Sequence, residues 1–354
     1  MNDTNNIWSI ISLFNQDDTM SSSEIAARST NNQSLVTVKR QLASLTKQGY
    51  IEQSGAGRSI KYTLTKKGWL LKPIELAPYL KIDPDERMPH PHFKKRVFEK
   101  PYIDLFNNSE LTQLKDATTK YKNNAAPNDS LAHKKELMRF IVEFSWKSSK
   151  IEGNTYDLIS TERLLLFGEK STINTEYETQ MILNQKNAIE FILENVDAWK
   201  NPTTDMIKSL HSHVANKLDI PIGFRNTLVG ITGTNYRPLW NESDIKDALN
   251  LLLENINHTK NIYEKGLLAV LGLSYIQAFV DGNKRTSRLL ANAILMANNF
   301  APLSYRNVDD KEYKEACLVF YEQNSIVPFK KIFVDQYIFS ANNYNIARPT
   351  NNNI

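Results

Sequence analysis

Residues 276–288 read IQAFVDGNKRTSR: an acid, a glycine and an asparagine, followed by three cations between positions 284 and 288. The run before it, GLLAVLGLSYIQAF, is apolar nearly all round, which predicts a helix central to the fold. A new helix is expected to begin near Arg285. Backbone N–H groups at a helix start, beside a glycine that permits close approach, form an anion nest. Lys284, Arg285 and Arg288 add positive charge, and Arg285 and Arg288, three apart, share a helix face. Asp281 is placed to ligate a Mg²⁺ that bridges phosphate oxygens. On local physics alone, an ordinary capped turn with surface charges accounts for the stretch equally well.

Working outward, apolar periodicity predicts a mainly helical body from Leu131 onward. One helix carries Leu137, Phe140, Ile141, Phe144 and Ile151 on one face and ends at Gly153-Asn154. Further helices are expected over 176–199, 203–218, 243–257, 263–279, 285–299, 310–323 and 329–340. Between them, residues 222–240 (IGFRNTLVGITGTNYRPLW) alternate β-formers with glycine and predict a short hairpin. Two strands alone are barely stable, so such a hairpin is either a mere connection or an exposed edge for strand addition.

The first 72 residues hold nine Lys/Arg against five Asp/Glu, so the whole formal excess of +4 lies there. Ile7, Ile10, Ile11 and Phe14 predict a first helix, and the Ser21/Glu24 capping box a second. A third carries a stripe of Leu35, Val38, Leu42 and Leu45 and stops at Gly49. Two β-like runs, 50–53 and 59–65, follow. This order resembles a winged helix-turn-helix, with Ser34, Thr37, Arg40 and Gln41 exposed toward a DNA groove and Arg58 and Lys61 on the wing for phosphates. Protein docking or dimerisation is the other reading of residues 1–72, and a homodimer stays open.

Prolines crowd residues 73–101, marking a connector and extension over 73–130 ahead of a helical domain over 131–345. His90 and His92 lack a third ligand in view, which argues against a metal there. No apolar run approaches the roughly 20 residues of a membrane span, and no secretory signal is legible. The single cysteine, Cys317, reads as a buried small hydrophobe, and the expected compartment is the cytoplasm.

The opening stretch resembles the signature of the Fic family, H-x-F-x-[D/E]-G-N-[G/K]-R-x-x-R. Phe279, Asp281, Gly282, Asn283, Lys284, Arg285 and Arg288 match, and Gln277 stands where the family has histidine. Ser148-x-x-x-Glu152-Gly153 is similar to the family's inhibitory motif. The hairpin, with Gly233, Thr234, Asn235 and Tyr236, is similar to its target-positioning flap. The resemblance implies an all-helical Fic domain with a β-hairpin flap that transfers AMP from ATP to a hydroxyl of a target protein. It implies Mg²⁺ on Asp281, the α- and β-phosphates on Gly282 and Asn283, further phosphate contacts from Lys284 and Arg285, and the γ-phosphate on Arg288. Glu152 is expected to compete for Arg288. A carboxamide cannot accept the hydroxyl proton, so Gln277 predicts impaired catalysis; His211 and His213 read as structural. Two alternatives follow: a catalytically inactive nucleotide-sensing transcription regulator, and a Doc-like phosphotransferase.

Overall fold

The apolar run around residue 270 forms the axis of the molecule. The structure, a computed structural model, describes residues 8–15, 18–29, 33–87, 92–100, 102–125, 127 and 130–346. Helix α11 (Ile262–Ile276) buries nearly every residue, which is why its sequence shows little polar face. It packs along α12 (Asn283–Ala297), itself buried almost throughout. Around this pair lie α6 (Leu131–Ile151), α8 (Glu176–Glu194), α9 (Thr204–Ala215), α10 (Glu242–His258), α13 (Asp310–Gln323) and α14 (Val327–Asn343). Where α10 crosses α11, a Cβ on Gly272 would lie 2.4 Å from Leu252 Cδ1, so only glycine allows that approach.

The helical reading needs several amendments. The helix over 176–199 breaks after Glu194 into a 3₁₀ turn, Val196–Lys200. Besides two helices of five residues each, two longer ones escaped the periodicity: α7 (Leu158–Phe167) and α5 (Asn108–Asn124), the latter lying on α14. Both start at side-chain N-caps, Asp157 accepting from Ser160 N–H and Asn107 from Glu110 N–H. The expected hairpin is absent. Residues 222–240 form no strand, and their one bridge joins Arg237 to His92 of the connector. Their polar groups are met by the connector, by the core and by a few contacts within the segment, not by a strand ladder.

The N-terminal residues form helix over 8–12, then β1 (Thr19–Met20), α1 (Ser22–Arg28), α2 (Leu35–Lys47), β2 (Ile51–Ser54), β3 (Lys61–Leu64) and α3 (Lys66–Leu70). The sheet order is β1-β3-β2, antiparallel throughout, with Ile51 opposite Leu64 and Thr19 opposite Thr63. Ser21 and Glu24 make the capping box. Two expectations on α2 fail. Leu35 is 41% exposed, because it sits in the first turn, and Gln41 is only 8% exposed, turned into the module's interior. Ser34 caps α2, accepting from the Thr37 N–H at 3.2 Å, and its hydroxyl meets Thr37 Oγ1 at 3.0 Å. Ile7, Pro89, His90, Pro91 and Pro101 lie outside the described residues. The connector nevertheless holds a short helix, α4 (Leu76–Leu80), that accommodates Pro78. The module is joined to the body through Ile326 N–H to Leu70 O (2.9 Å) and Ser325 Oγ to Lys72 O (2.5 Å).

Candidate active site

The end of α11 and the start of α12 are tied by a short loop closed by local bonds and braced by two distant residues, His211 and Arg225. Gln277 ends α11 in the left-handed region (φ 53°), and Gly282 precedes α12 with φ 79°. The Asn283 side chain closes the loop, accepting from Phe279 N–H at 2.9 Å and donating to Phe279 O at 2.8 Å. Thr286 N–H to Gly282 O is the first turn of α12, so the amides of 283–285 precede the helical ladder. Arg285 Nη2 lies 3.2 Å from Asp281 Oδ2, and the Asp281 side chain is 58% exposed.

His211 of α9 braces this loop from below. Its ring stacks on Phe279 with centroids 3.7 Å apart, and Nε2 donates to Asp281 O at 2.9 Å. The carbonyl can only accept, so Nε2 carries the proton. Burial pushes its pKa down to about 4. His211 is therefore neutral, engaged and structural. His213 stacks on Phe191.

The loop opens on a cleft of about 490 Å³ lined by Gln277 and residues 280–285 on one side and by Ile151 and Glu152 on another. Val229, Gly230, Ile231 and Thr232 form its rim, and Lys314, Cys317, Leu318 and Tyr321 of α13 its third wall. Cys317 is buried, with its thiol pushed up to about 12 by burial. Gly233, Thr234, Asn235 and Tyr236 do not line the cleft: Tyr236 is buried against Tyr275 and Tyr321, Gly233 and Asn235 bond to the connector, and Thr234 Oγ1 accepts from Tyr236 N–H. Their place at the rim is taken by 229–232.

Arg288 lies fully buried behind Glu152. Its Nη2 is 2.9 Å from Glu152 Oε1, and Lys284 Nζ is 3.6 Å from Oε2. The Arg288 contact is an ion pair without aligned hydrogen-bond geometry at that oxygen. Arg288 also donates from Nε to Ser148 Oγ (3.0 Å) and from Nη2 to Ser148 O (2.8 Å). Burial works to raise the Glu152 pKa, but Arg288, Lys284 and Arg285 outweigh it and hold the carboxyl below its ordinary value. Gly153 follows at the surface with φ 99°.

Gln277 donates from Nε2 to Ser274 O at 2.7 Å. Because Ser274 O can only accept, the carboxamide orientation is fixed and Oε1 is the atom left toward the cleft. The backbone of Gln277 is held by a residue that the sequence did not single out. Arg225 donates from Nε to Gln277 O (2.6 Å) and from Nη1 to Thr227 O (2.5 Å), and its own N–H reaches Ala278 O (3.1 Å). Nothing in the local sequence marks Arg225, one of two arginines in a run of β-formers.

Fold and site together define a helical domain whose two central helices are joined by a short glycine-containing turn that lines a cleft. Residues 201–295 match the model of the Fic/DOC family, and the chain carries a Fic/Doc family domain. Protein adenylyltransferase Fic of Nematostella vectensis is 28% identical over 197 residues, covering 53% of this chain and 45% of that protein. Protein adenylyltransferase fic-1 of Caenorhabditis elegans is 26% identical over 182 residues, 49% of this chain and 36% of its own. This chain thus spans less than half the length of the curated relatives it matches. Among solved structures, Fic-1 from C. elegans superimposes with a TM-score of 0.55 at 20% identity, covering 66% of this chain and 69% of that one. A Fic domain containing signaling protein from Bacteroides thetaiotaomicron gives 0.55 at 21%, covering 65% and 94%. These likenesses establish the fold.

Proposed function

We propose that the chain binds ATP in the cleft at the start of α12 and transfers AMP to a protein hydroxyl slowly, under restraint by Glu152. The observation that carries this reading is the pairing of one cleft-lining carboxylate, Glu152, with Lys284 of the cleft wall and with Arg288 buried behind it, beside the start of α12. The relatives named as protein adenylyltransferases support it. The amides of 283–285 and Gly282 suit the α- and β-phosphates, with Lys284 and Arg285 beside them. A terminal phosphate would take the place of the Glu152 carboxylate at Arg288. With that carboxylate in place, the phosphate chain cannot settle with its α-phosphorus in line for attack.

A Mg²⁺ fits this site only as a phosphate-bound ion. Among the described residues no cluster of three or more metal-ligating side chains exists, and Asp281 alone offers a carboxylate at the lip. That is the usual share of protein ligands for a nucleotide-bound Mg²⁺, which would neutralise phosphate charge. In the transfer, the acceptor oxygen bonds to the α-phosphorus, the bond to the bridging β-oxygen breaks, and pyrophosphate leaves. The acceptor proton must reach solvent, because Gln277 Oε1 can orient a hydroxyl but has no useful basicity. General base catalysis is worth roughly 10²–10⁴-fold, the deficit expected here. The engagement of Gln277 with Ser274 favours a second reading, a nucleotide-sensing regulator with no turnover.

Residues 1–72 are proposed to bind DNA. Arg40 is exposed on α2, Arg58 on the β2–β3 turn and Lys61 at the start of β3, while the buried Gln41 and the capping Ser34 are not free to read bases. Calorimetry with ATP and Mg²⁺ on the wild type and Glu152→Gly tests the site. Glu152→Gly is expected to bind on the order of tenfold tighter, the effect of removing about 1.4 kcal/mol of competition. Gln277→His with Glu152→Gly should then yield an AMP adduct by intact mass. No nucleotide binding by either protein would end this reading.

A further inference from the structure

Arg87 belongs to the connector, yet its guanidinium is buried between the cleft rim and α13, with its side chain 3% exposed and that of its partner Glu322 fully buried. Nη2 donates to Glu322 Oε1 at 2.8 Å and also to the carbonyl of Gly233. Tyr79 of α4 donates its hydroxyl to the other Glu322 oxygen at 2.6 Å. Neighbouring connector residues hold the following rim residues. Asn235 Nδ2 donates to Pro84 O and to Asp85 Oδ1, both at 3.0 Å, and Phe93 N–H donates to Arg237 O at 3.2 Å. Tyr236, between them, stacks on Tyr321, which lines the cleft one residue before Glu322. The far end of the rim is thus fastened by the connector, and its near end by Arg225 at Thr227. Residues 229–232, which face the cleft, are strung between two buried arginines.

We propose that Arg87 is a positioning residue for the acceptor protein: it fixes the rim over 229–232 against which an incoming hydroxyl must be aligned. The role of the rim rests on the AMP-transfer reading above; the mechanical claim does not. One nitrogen of a planar, rigidly oriented guanidinium meets the carboxylate and the carbonyl together, whereas a lysine ammonium rides on a shorter, flexible stem that does not fix its donors in that plane. Because Arg87 comes from the segment leading out of the N-terminal module, rim geometry also answers to that module's tail.

The test uses the full chain. In Arg87→Ala, amide exchange over 229–237 should rise about tenfold or more, while α11 and α12 stay protected. Arg87→Lys should restore less than half of that protection. In the Gln277→His, Glu152→Gly background, Arg87→Ala should lower AMP transfer to protein about tenfold, with ATP affinity and AMP release to water changed less than about twofold. Unchanged exchange at 229–237, full rescue by lysine, or equal losses of protein transfer, water transfer and ATP affinity would overturn the proposal. Should Arg87→Ala not fold, Arg87→Lys and Glu322→Gln carry the same comparison. Raised exchange with no AMP adduct in any variant would sink the transfer reading and leave the rim's anchoring intact.

Discussion

Asn283 illustrates how one side chain can carry a loop. Both of its amide atoms are spent on the backbone of Phe279, a fully buried residue whose N–H and C=O have no strand or helix to serve them. Asn283→Ala should therefore cost roughly 2–4 kcal/mol in urea unfolding, since each orphaned buried group costs about 1–3 kcal/mol. His211 makes a pH-dependent contribution. Its pKa falls from an ordinary 6.5 to about 4 in the fold, so below pH 6.5 the unfolded chain takes up a proton that the native chain refuses. Stability is then full above pH 6.5 and declines as pH falls toward 4, by about 2 kcal/mol at pH 5. Urea titrations at pH 7 and pH 5 should show this difference shrink in His211→Asn.

Among the elements, the junction of α11 and α12 is set by two left-handed residues, Gln277 and Gly282. Gln277 is held there by Arg225, whereas Gly282 needs no such help. A Cβ on Gly282 would meet Val214 Cγ1 at 3.2 Å and His211 Nε2 at 3.5 Å, besides the cost of φ 79° for an L side chain. Gly282→Ala should cost about 1–2 kcal/mol of thermal stability. A double-mutant cycle with Val214→Ala should recover the contact share and leave the backbone share. The element that sequence periodicity most misjudged is the rim. Alternating β-formers over 222–240 point to a hairpin, but Arg225, Asn235, Tyr236 and Arg237 find their partners in α11, the 277–278 turn and the connector. Strand propensity describes a side chain's fit to a pleated surface, and no such surface was on offer.

On the scale of the whole molecule, the N-terminal module and the Fic domain meet where α13 passes into α14. Leu70 and Lys72 are bonded to Ile326 and Ser325 there, and α13 also walls the cleft and carries Glu322. If residues 1–72 bind DNA, log K for the full chain should fall linearly with log salt. Arg58→Ala should flatten that slope by about 1, without changing preference between duplexes. Binding indifferent to salt would favour a protein partner. The turn over 277–288 was legible in the sequence because the bonds that close it are local: Asp281 with Arg285, Thr286 with Gly282, Asn283 with Phe279; its braces from His211 and Arg225 were not. The helical body was legible for the same reason, since a 3.6-residue period is written in neighbouring residues. Tertiary structure alone decided that Gln41 turns inward, that residues 229–232 face the cleft in place of 233–236, and that Arg225 and Arg87 anchor the rim. Those outcomes depend on which distant segment each residue meets in the fold, as where Arg225 and Arg87 serve buried carbonyls and a carboxylate, and no spacing along the chain records that choice.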